Sequence, residues 1–213
     1  GAEQEGLGLY DFNIRDGRRE STATAFLRPA MGRANLTVWT GAQVARVVIA
    51  EGRATGVEVD HQGQRKTITA RAEVILCGGA INSPHLLQLS GIGPGAPLSD
   101  MGIPVIVDAP QVGQNLQDHL GVYLTYACKD RVTLYALFRP DRALGALLRG
   151  WFLRQGPMVA VPLEAGGFLK TRPDLDRPDI HITFVPGLSL ETTQKGQGQH
   201  GYIINFYQLR PES

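Results

Sequence analysis

Two adjacent glycines, Gly78 and Gly79, are the residues of this chain best suited to approach a phosphate group. Because they have no side chains, the backbone can turn sharply and a ligand can come within van der Waals distance. Asn82 or Ser83 can cap a helix after this turn, and Pro84 fits its first position. The start of such a helix presents free N–H groups and the positive end of the helix dipole, which attract phosphate. On the glycines alone, an ordinary tight turn without a ligand is the favoured interpretation.

The elements on either side must position this turn. The run Val74–Cys77 is almost wholly apolar, which is typical of a strand buried on both faces of a parallel sheet, and Cys77 then acts as a small apolar residue. A helical pattern continues through Leu86 and Leu87 and ends at Gly91. The order of strand, glycine turn and helix is that of open α/β folds, which bind nucleotides at the carboxyl edge of the sheet.

The longer string from Gly79 to Gly93, GAINSPHLLQLSGIG, closely resembles the second signature of the glucose–methanol–choline (GMC) family of FAD-dependent oxidoreductases. The resemblance implies that FAD is the cofactor and that Gly78, Gly79 and Ala80 lie at its binding site. It also implies that Val44 contacts the adenine of the flavin through its backbone, which leaves the valine side chain free to pack in a sheet.

Alternating segments before the turn predict a β-meander that leads into the strand at Val74. These segments are residues 35–40, 43–49, 57–60 and 66–70. Earlier in the chain, Ser21 is expected to cap a helix that ends near Pro29. After the signature we expect a short helix over 97–102 and a short strand over 103–107.

The string Val112–His119, VGQNLQDH, is also typical of the family. Its Asn115, Asp118 and His119 can each hydrogen-bond a loop over the cofactor. An adjacent Asp and His form a structural hydrogen bond more often than a catalytic pair, so we assign this string no chemistry.

The second half of the chain has a different pattern. Its alternating segments, with no strand–helix rhythm, predict an antiparallel sheet with one covered face. They are residues 122–126, 167–170, 180–185 and 202–209. Residues 141–152 are helical in pattern, and the polar, glycine-rich stretch 187–201 is expected to be a loop. This half resembles the substrate domain of the GMC family, whose sheet forms a wall of the pocket above the flavin.

Glu164 and Phe168 are the candidate substrate-binding residues. The position of Glu164 matches a family position whose carboxylate faces the trimethylammonium group in choline-oxidising members. A carboxylate beside aromatic rings suits a quaternary cation, although a solvated strand-end glutamate fits the sequence equally well. Choline-type members tend to have a histidine where this chain has Thr183, and this departure weakens a choline assignment. We expect His181 to be a sheet-face residue without a ligand.

The expected fold is therefore α/β followed by α+β. Residues 1–119 are expected to form part of a FAD-binding dinucleotide domain with a β-meander. Residues 120–213 are expected to form part of an antiparallel-sheet substrate domain. The chain begins without Met and ends directly after a strand-like segment, so we expect it to be an internal piece of a longer protein.

Composition limits the other possibilities. The 213 residues include 21 basic and 20 acidic side chains. This balance does not indicate a basic patch of the kind that binds nucleic acid or a membrane surface. We find no apolar run of transmembrane length. Two cysteines, Cys77 and Cys128, argue against a disulfide framework or a zinc site, and the cytoplasm is the default location.

The resemblance implies a fragment of an FAD-dependent enzyme that oxidises choline or another primary alcohol to the aldehyde by hydride transfer to flavin. The family's phosphate-binding GxGxxG turn and its catalytic His have no counterpart here, so no catalytic residue is assigned and the fragment is expected to be inactive. The electron acceptor is left open. An oxidase or lyase of the same fold, or a non-catalytic nucleotide-binding or scaffold domain, remain alternatives.

Overall fold

A computed structural model describes residues 3–159, 163, 165–188 and 200–210. These residues form two compact units. One contains residues 3–33 and 118–210, and the other contains residues 34–117. In the described part of the chain, no helix combines the length and the apolar character needed to cross a membrane.

The secondary structure is mixed α/β. The strands, in chain order, are β1 (Gly6–Leu9), β2 (Ile14–Arg15), β3 (Arg18–Arg19), β4 (Ala42–Ala50), β5 (Arg53–His61), β6 (Gln64–Thr69), β7 (Ile92–Gly93), β8 (Val107–Asp108), β9 (Gly121–Ala127), β10 (Ala165–Leu169), β11 (Ile180–Val185) and β12 (Gly201–Gln208). The α-helices are α1 (Arg28–Ala30), α2 (Gly79–Leu89), α3 (Gly95–Asp100) and α4 (Pro140–Leu148). Tighter or wider helical turns occupy Ala23–Leu27, Leu134–Phe138 and Arg149–Leu153.

The predicted meander is confirmed for three of its strands. β4, β5 and β6 form an antiparallel sheet in that order. Both hairpins turn through a residue and a following glycine with positive φ, as tight turns between twisted strands require. Val47 and Val59 supply the buried face, with 5% and 3% of their surface exposed.

Two predicted strands are wrong. Residues 35–40 and Val74–Cys77 pair with no other strand in the described part of the chain. A strand is stabilised by a partner that satisfies its N–H and C=O groups, and the apolar pattern of Val74–Cys77 reports burial without saying what would provide it. Here Ile75 is 72% exposed and Cys77 is also exposed, so Cys77 is not the buried apolar residue that the pattern predicts.

The helix after the glycine turn starts earlier than predicted. Gly79 has a φ of +81° and turns the chain directly into α2, which places Pro84 inside the helix and not at its first position. The Ser83 hydroxyl accepts a hydrogen bond from the Gly78 N–H at 3.0 Å, so it holds the turn from within the helix. The predicted end is confirmed, because Gly91 follows the last turn with a φ of +83°.

The helix predicted after Ser21 is confirmed at its start. The Ser21 hydroxyl accepts from the Thr24 N–H, and the Thr24 hydroxyl oxygen accepts from the Ser21 N–H, which is a reciprocal cap. The helical segment runs past Pro29 to Ala30. The short helix after the signature is α3, and the short strand is limited to β8, which pairs in parallel with β7.

The antiparallel sheet predicted for the second half is confirmed, with the order β1-β10-β11-β12-β9. Its edge strand β1 was not predicted. Gly6–Leu9 pairs with β10, so the contacts group residues 3–33 with the second half of the chain, whereas the sequence division at residue 119 groups them with the first. The assignment of cofactor and substrate domains stays a prediction. The loop predicted over 187–201 lies largely outside the described residues.

Candidate functional site

A cleft of about 610 Å³ lies within the unit formed by residues 34–117. One wall is β4 with Val44, and the opposite wall is the segment Val74–Cys77 with Gly78 and residues of α2. Two of the predicted cofactor residues, Val44 and Gly78, therefore line the same cleft although 34 positions separate them in the sequence. A pocket of this size accommodates a ligand as large as a nucleoside.

The Ser90 hydroxyl fixes α2 against β4. It accepts a hydrogen bond from the Val47 N–H at 2.8 Å and donates one to the Leu86 carbonyl oxygen at 2.6 Å. Ser90 is 4% exposed, and its bond with the Val47 N–H is buried. In the three-stranded sheet β4 is an edge strand, and its outer backbone groups are therefore available to the helix and to a ligand.

Glycine suits positions 78 and 79 of the turn for two different structural reasons. A Cβ on Gly78 would lie 3.0 Å from the Asn82 Cβ and 3.2 Å from the Ser83 backbone N, which is closer than ordinary packing allows. Gly79 has a positive φ, and a Cβ there would have no atom within 4 Å. The backbone at Gly79 is consequently bare on its outer side, as close approach by a ligand requires.

These residues fit the adenine end of FAD. The cleft combines valine and leucine side chains with polar groups on Asn82 and Ser83 and with the outer edge of β4, a pairing of apolar walls and a few polar groups that suits an adenine ring. Among the described residues, no Lys, Arg, Asp or Glu lines it. The described lining residues therefore suit an uncharged ring better than a diphosphate.

Ala80 lies at a second cleft, of about 380 Å³, on the other side of the start of α2. Gln88 crosses this cleft and donates to the Val112 carbonyl oxygen at 2.9 Å. A Cβ on Gly113 would overlap the Gln88 amide. The segment that begins at Val112 therefore contacts α2 at a position where glycine leaves room for the Gln88 side chain. Sequence reasoning did not single out Gln88.

The structure gives the Asp118–His119 pair a local role. The Asp118 carboxylate accepts from the His119 backbone N–H at 2.7 Å, and its oxygen lies 3.8 Å from the His119 ring nitrogen Nδ1. The Asp118 side chain is fully exposed. This arrangement is a local contact between a side chain and the next backbone N–H, and it is not a buried, oriented acid–base pair.

The second candidate site lies on one face of the five-stranded sheet, in the other unit. Phe168 on β10 and His181 on β11 are direct cross-strand partners, and their rings stack with centroids 4.7 Å apart and planes 13° apart. The Tyr10 hydroxyl lies 2.8 Å from His181 Nε2 and donates to the Ile182 carbonyl oxygen at 2.7 Å. Glu164, the predicted partner of a cation, lies outside the described residues.

The same face of the sheet also carries polar side chains on β11 and β12. Thr183 and Asn205 are cross-strand partners, each 7% exposed, and the Asn205 amide donates to the Thr183 hydroxyl oxygen at 3.0 Å. Tyr207 follows beside His181, and its ring meets that of Tyr123 edge-on, with centroids 6.3 Å apart. The Asn205 Oδ1 has no hydrogen-bond partner among the described residues.

Burial governs the ionisation of this face. It lowers the pKa of His181, and the neighbouring His119 lowers it further. Burial also raises the pKa values of Tyr10 and Tyr207. His181 is therefore neutral at pH 7 and both phenols keep their protons. Within the described ranges no group of three His, Cys, Asp or Glu residues could hold a metal ion.

Sequence reasoning missed Tyr10 and Asn205. Tyr10 follows a short glycine-rich strand, and only the pairing of β1 with β10 brings it near His181, 171 positions away. The alternation of β12 places Asn205 on the same face as Tyr207, and an asparagine within an apolar strand was the available signal.

Residues 1–121 match a family model described as GMC oxidoreductase. Over its whole length the chain is 40% identical to "Choline dehydrogenase, mitochondrial" of Mus musculus, of which it covers 36%. It is 41% identical to "Oxygen-dependent choline dehydrogenase" of Pseudomonas aeruginosa strain LESB58, of which it covers 38%. The chain thus spans little more than a third of the length of these relatives.

Solved structures show the same fold. A formate oxidase of Aspergillus oryzae RIB40, described in a study of FAD modification, superposes with a TM-score of 0.83 and 26% identity over 99% of this chain and 41% of that one. Pyridoxine 4-oxidase from Mesorbium loti superposes with a TM-score of 0.74 and 29% identity, over 99% of this chain and 38% of that one.

Proposed function

Since the chain belongs to the GMC oxidoreductase family of FAD-binding flavoproteins, we propose that it is the central part of a longer FAD-dependent enzyme that oxidises an alcohol. The observation that supports this proposal is the cleft that joins Val44 to Gly78, because its composition suits the adenine end of FAD. Bound FAD supplies the acceptor for the hydride that leaves the alcohol carbon.

The residues of this chain contribute binding and position to that reaction. The outer edge of β4 at Val44, the turn at Gly78 and the bare backbone at Gly79 hold the cofactor, and Ala80 lies beside them at the start of α2. Ser90 keeps the two walls of the cleft together. The sheet residues, Phe168 among them, contact the alcohol.

The substrate is a small alcohol, either choline or another primary alcohol. The two choline dehydrogenases, each at least 40% identical, support choline, and Glu164 is the residue that would face its trimethylammonium group. The neutral His181 and the presence of Thr183 on the described face support an uncharged alcohol. Under this proposal the isolated chain is inactive, and its location is the cytoplasm.

The test is flavin reduction in the full-length enzyme that contains this chain. Under anaerobic conditions, choline or a neutral primary alcohol should bleach the visible flavin absorbance, and the isolated 213-residue chain with added FAD should give no bleaching. A full-length protein that retains no flavin would favour a scaffold domain. Rapid reoxidation by O₂ would identify an oxidase among the family's activities, and bleaching without aldehyde formation would contradict alcohol oxidation.

A further inference from the structure

We propose that the helical segment Pro140–Leu153, with Arg139 and Arg154 at its ends, binds the surface of a membrane that contains anionic phospholipids. The segment consists of α4 and the wider turn that continues it without a break. This inference adds an interaction surface to the proposed enzyme, and it agrees with a cytoplasmic location because anionic lipids face that compartment. It is carried by the exposed side chains of the helix and by the charges around them.

This helix exposes its large apolar side chains and buries a small one. Leu144, Leu147, Leu148 and Trp151 follow the i, i+3, i+4, i+7 spacing of one helix face, and they are between 49% and 82% exposed. We refer to these four residues as the outer stripe. Ala146, by contrast, is 8% exposed. A surface helix normally has the reverse arrangement, with its large apolar residues facing the core. The outer stripe is therefore an apolar surface that the described part of the chain does not cover.

The size and composition of the helix suit the surface of a bilayer. At about 1.5 Å per residue the segment is about 20 Å long, which is too short to cross a hydrocarbon core of about 30 Å. Trp151, Phe152 and Leu153 extend the apolar surface at its end, and all three are exposed. Indole rings are favoured at the level of the lipid headgroups, because the ring is apolar and its N–H stays hydrated there. The segment therefore suits a position along the membrane plane.

The charges of the helix are mostly positive. Residues 139–154 contain four arginines and one acid, Asp141, which gives a net charge of +3. Asp141 is paired with Arg139 through two hydrogen bonds of 3.2 Å. Arg142 and Arg149 lie seven residues apart on the polar side of the helix, opposite the outer stripe. A helix about 10 Å across keeps these arginines within about one Debye length of a membrane that receives the stripe. Anionic headgroups therefore strengthen binding through the stripe.

A groove beside the end of the helix also has the character of a lipid site. Its volume is about 520 Å³, and its lining includes Leu147, Trp151, Met158, Arg18 and Arg154. Gly17 allows the turn between β2 and β3 to approach the helix end, because a Cβ on Gly17 would overlap the Arg154 Cβ and carbonyl oxygen. Apolar walls suit an acyl chain, and guanidinium groups bind phosphate oxygens. The groove therefore offers a partner to both parts of an anionic phospholipid.

An anionic bilayer matches these features better than another protein segment does. A protein segment over the outer stripe would have to combine apolar side chains with acidic groups placed for the arginines. Such a bilayer presents an apolar region and negative headgroups at every point of its surface. Helices with leucine and aromatic residues on one side and arginines on the other are typical of interfacial binding. The occupant of the stripe is therefore a lipid surface.

The experiment measures flotation of the full-length holoenzyme with vesicles made of phosphatidylcholine alone or of phosphatidylcholine and phosphatidylglycerol in equal amounts. We expect binding to the mixed vesicles to be at least about tenfold tighter and to weaken as salt is added. Leu147→Gln/Trp151→Gln should weaken binding to the mixed vesicles by at least about tenfold, because it removes apolar area from the interface. Met101→Gln, at an exposed apolar residue of the other unit, is the matched control and should stay within about twofold.

A second pair of variants tests the charges. Arg142→Gln/Arg149→Gln should weaken binding to the mixed vesicles by at least about tenfold and leave binding to pure phosphatidylcholine within about twofold. Arg172→Gln/Arg177→Gln, at two exposed arginines outside the helix, is its control and should change neither. Circular dichroism shows whether each variant is folded.

Quenching by brominated phosphatidylcholine gives a readout for Trp151 that does not depend on a loss of affinity. Mixed vesicles that contain this lipid should quench the indole fluorescence of the wild type, and Trp151→Phe should remove most of that quenching while retaining the binding. Three results would overturn the inference: no flotation of the holoenzyme with mixed vesicles, wild-type affinity in the Leu147/Trp151 variant, or unchanged quenching in Trp151→Phe. Loss of a dimer in the Leu147/Trp151 variant, measured by analytical ultracentrifugation without vesicles, would assign the outer stripe to a second copy of the chain and would also overturn it.

Discussion

Ser90 and Val47 are joined by a buried hydrogen bond of 2.8 Å from the Val47 backbone N–H to the Ser90 hydroxyl oxygen. The same hydroxyl donates to the Leu86 carbonyl oxygen. One side chain therefore provides a hydrogen-bond partner for a carbonyl of α2 and for a backbone N–H at the edge of β4. The strand edge and the helix are two walls of the cleft that contains Val44 and Gly78, and Ser90 therefore sets their separation.

Ser90→Ala should lower the free energy of unfolding by about 1–3 kcal/mol, because the buried Val47 N–H is left without a partner. Urea denaturation of the variant and the wild type measures this difference. Ser99→Ala, at an exposed position in α3, is the matched control and should change stability by less than about 0.5 kcal/mol. Equal stabilities for Ser90→Ala and the wild type would mean that the bond is not formed in solution.

Gly78→Ala should weaken FAD binding to the full-length enzyme by at least about tenfold. The new Cβ would crowd the Ser83 backbone N at 3.2 Å, and the turn must shift to relieve it. Release of flavin fluorescence on dilution measures the affinity. Gly145→Ala is the control, since a Cβ at that position of α4 meets no atom within 4 Å. An unchanged affinity in Gly78→Ala would place the cofactor away from this turn.

Gly166→Ala should destabilise the five-stranded sheet by about 1–3 kcal/mol, because its Cβ would overlap a backbone oxygen as well as the Tyr10 hydroxyl. Thermal unfolding followed by circular dichroism tests this expectation. Gly8→Ala on the neighbouring strand β1 is matched to it, since Gly8 pairs with Gly166 and a Cβ there has open space. If both variants unfolded at the wild-type temperature, Tyr10 would not cross β10 as described.

The lowered pKa of His181 predicts a pH-dependent contribution to stability. The unfolded chain binds the proton at its ordinary pKa of about 6.5, whereas the folded protein binds it at a lower pH. Stability from this residue is therefore fully present above the ordinary pKa and is lost as the pH falls through the folded value. The wild type should lose more stability than His181→Phe between neutral pH and about pH 5, measured by urea denaturation. If the stabilities of the wild type and His181→Phe fell in parallel with pH, burial would not lower the pKa of His181 in solution.

The meander and most of the antiparallel sheet were predictable because their alternation and turn residues are local properties of the sequence. The strand predicted over Val74–Cys77 was wrong because an apolar run indicates a preference for burial but does not identify the partner strand. β1 was missed because Gly6 and Gly8 remove the side chains that signal a strand, and its pairing with β10 depends on contacts far along the chain.

The candidate site residues were also only partly predictable from the sequence. Val44 and Gly78 were named through the family resemblance, and the structure brings them to one cleft. The role of Tyr10 could not be found from the sequence, because it depends on one hydroxyl that meets both Ile182 and His181 across two strand pairings. Tertiary hydrogen bonds of this kind leave no periodic pattern.

The most direct test of this account is a crystal structure of the full-length enzyme with FAD bound. We expect the adenine ring to lie in the cleft between β4 and the start of α2, with the Val44 backbone and Gly78 among the nearest protein atoms. An adenine ring elsewhere, with this cleft filled by protein side chains, would contradict it.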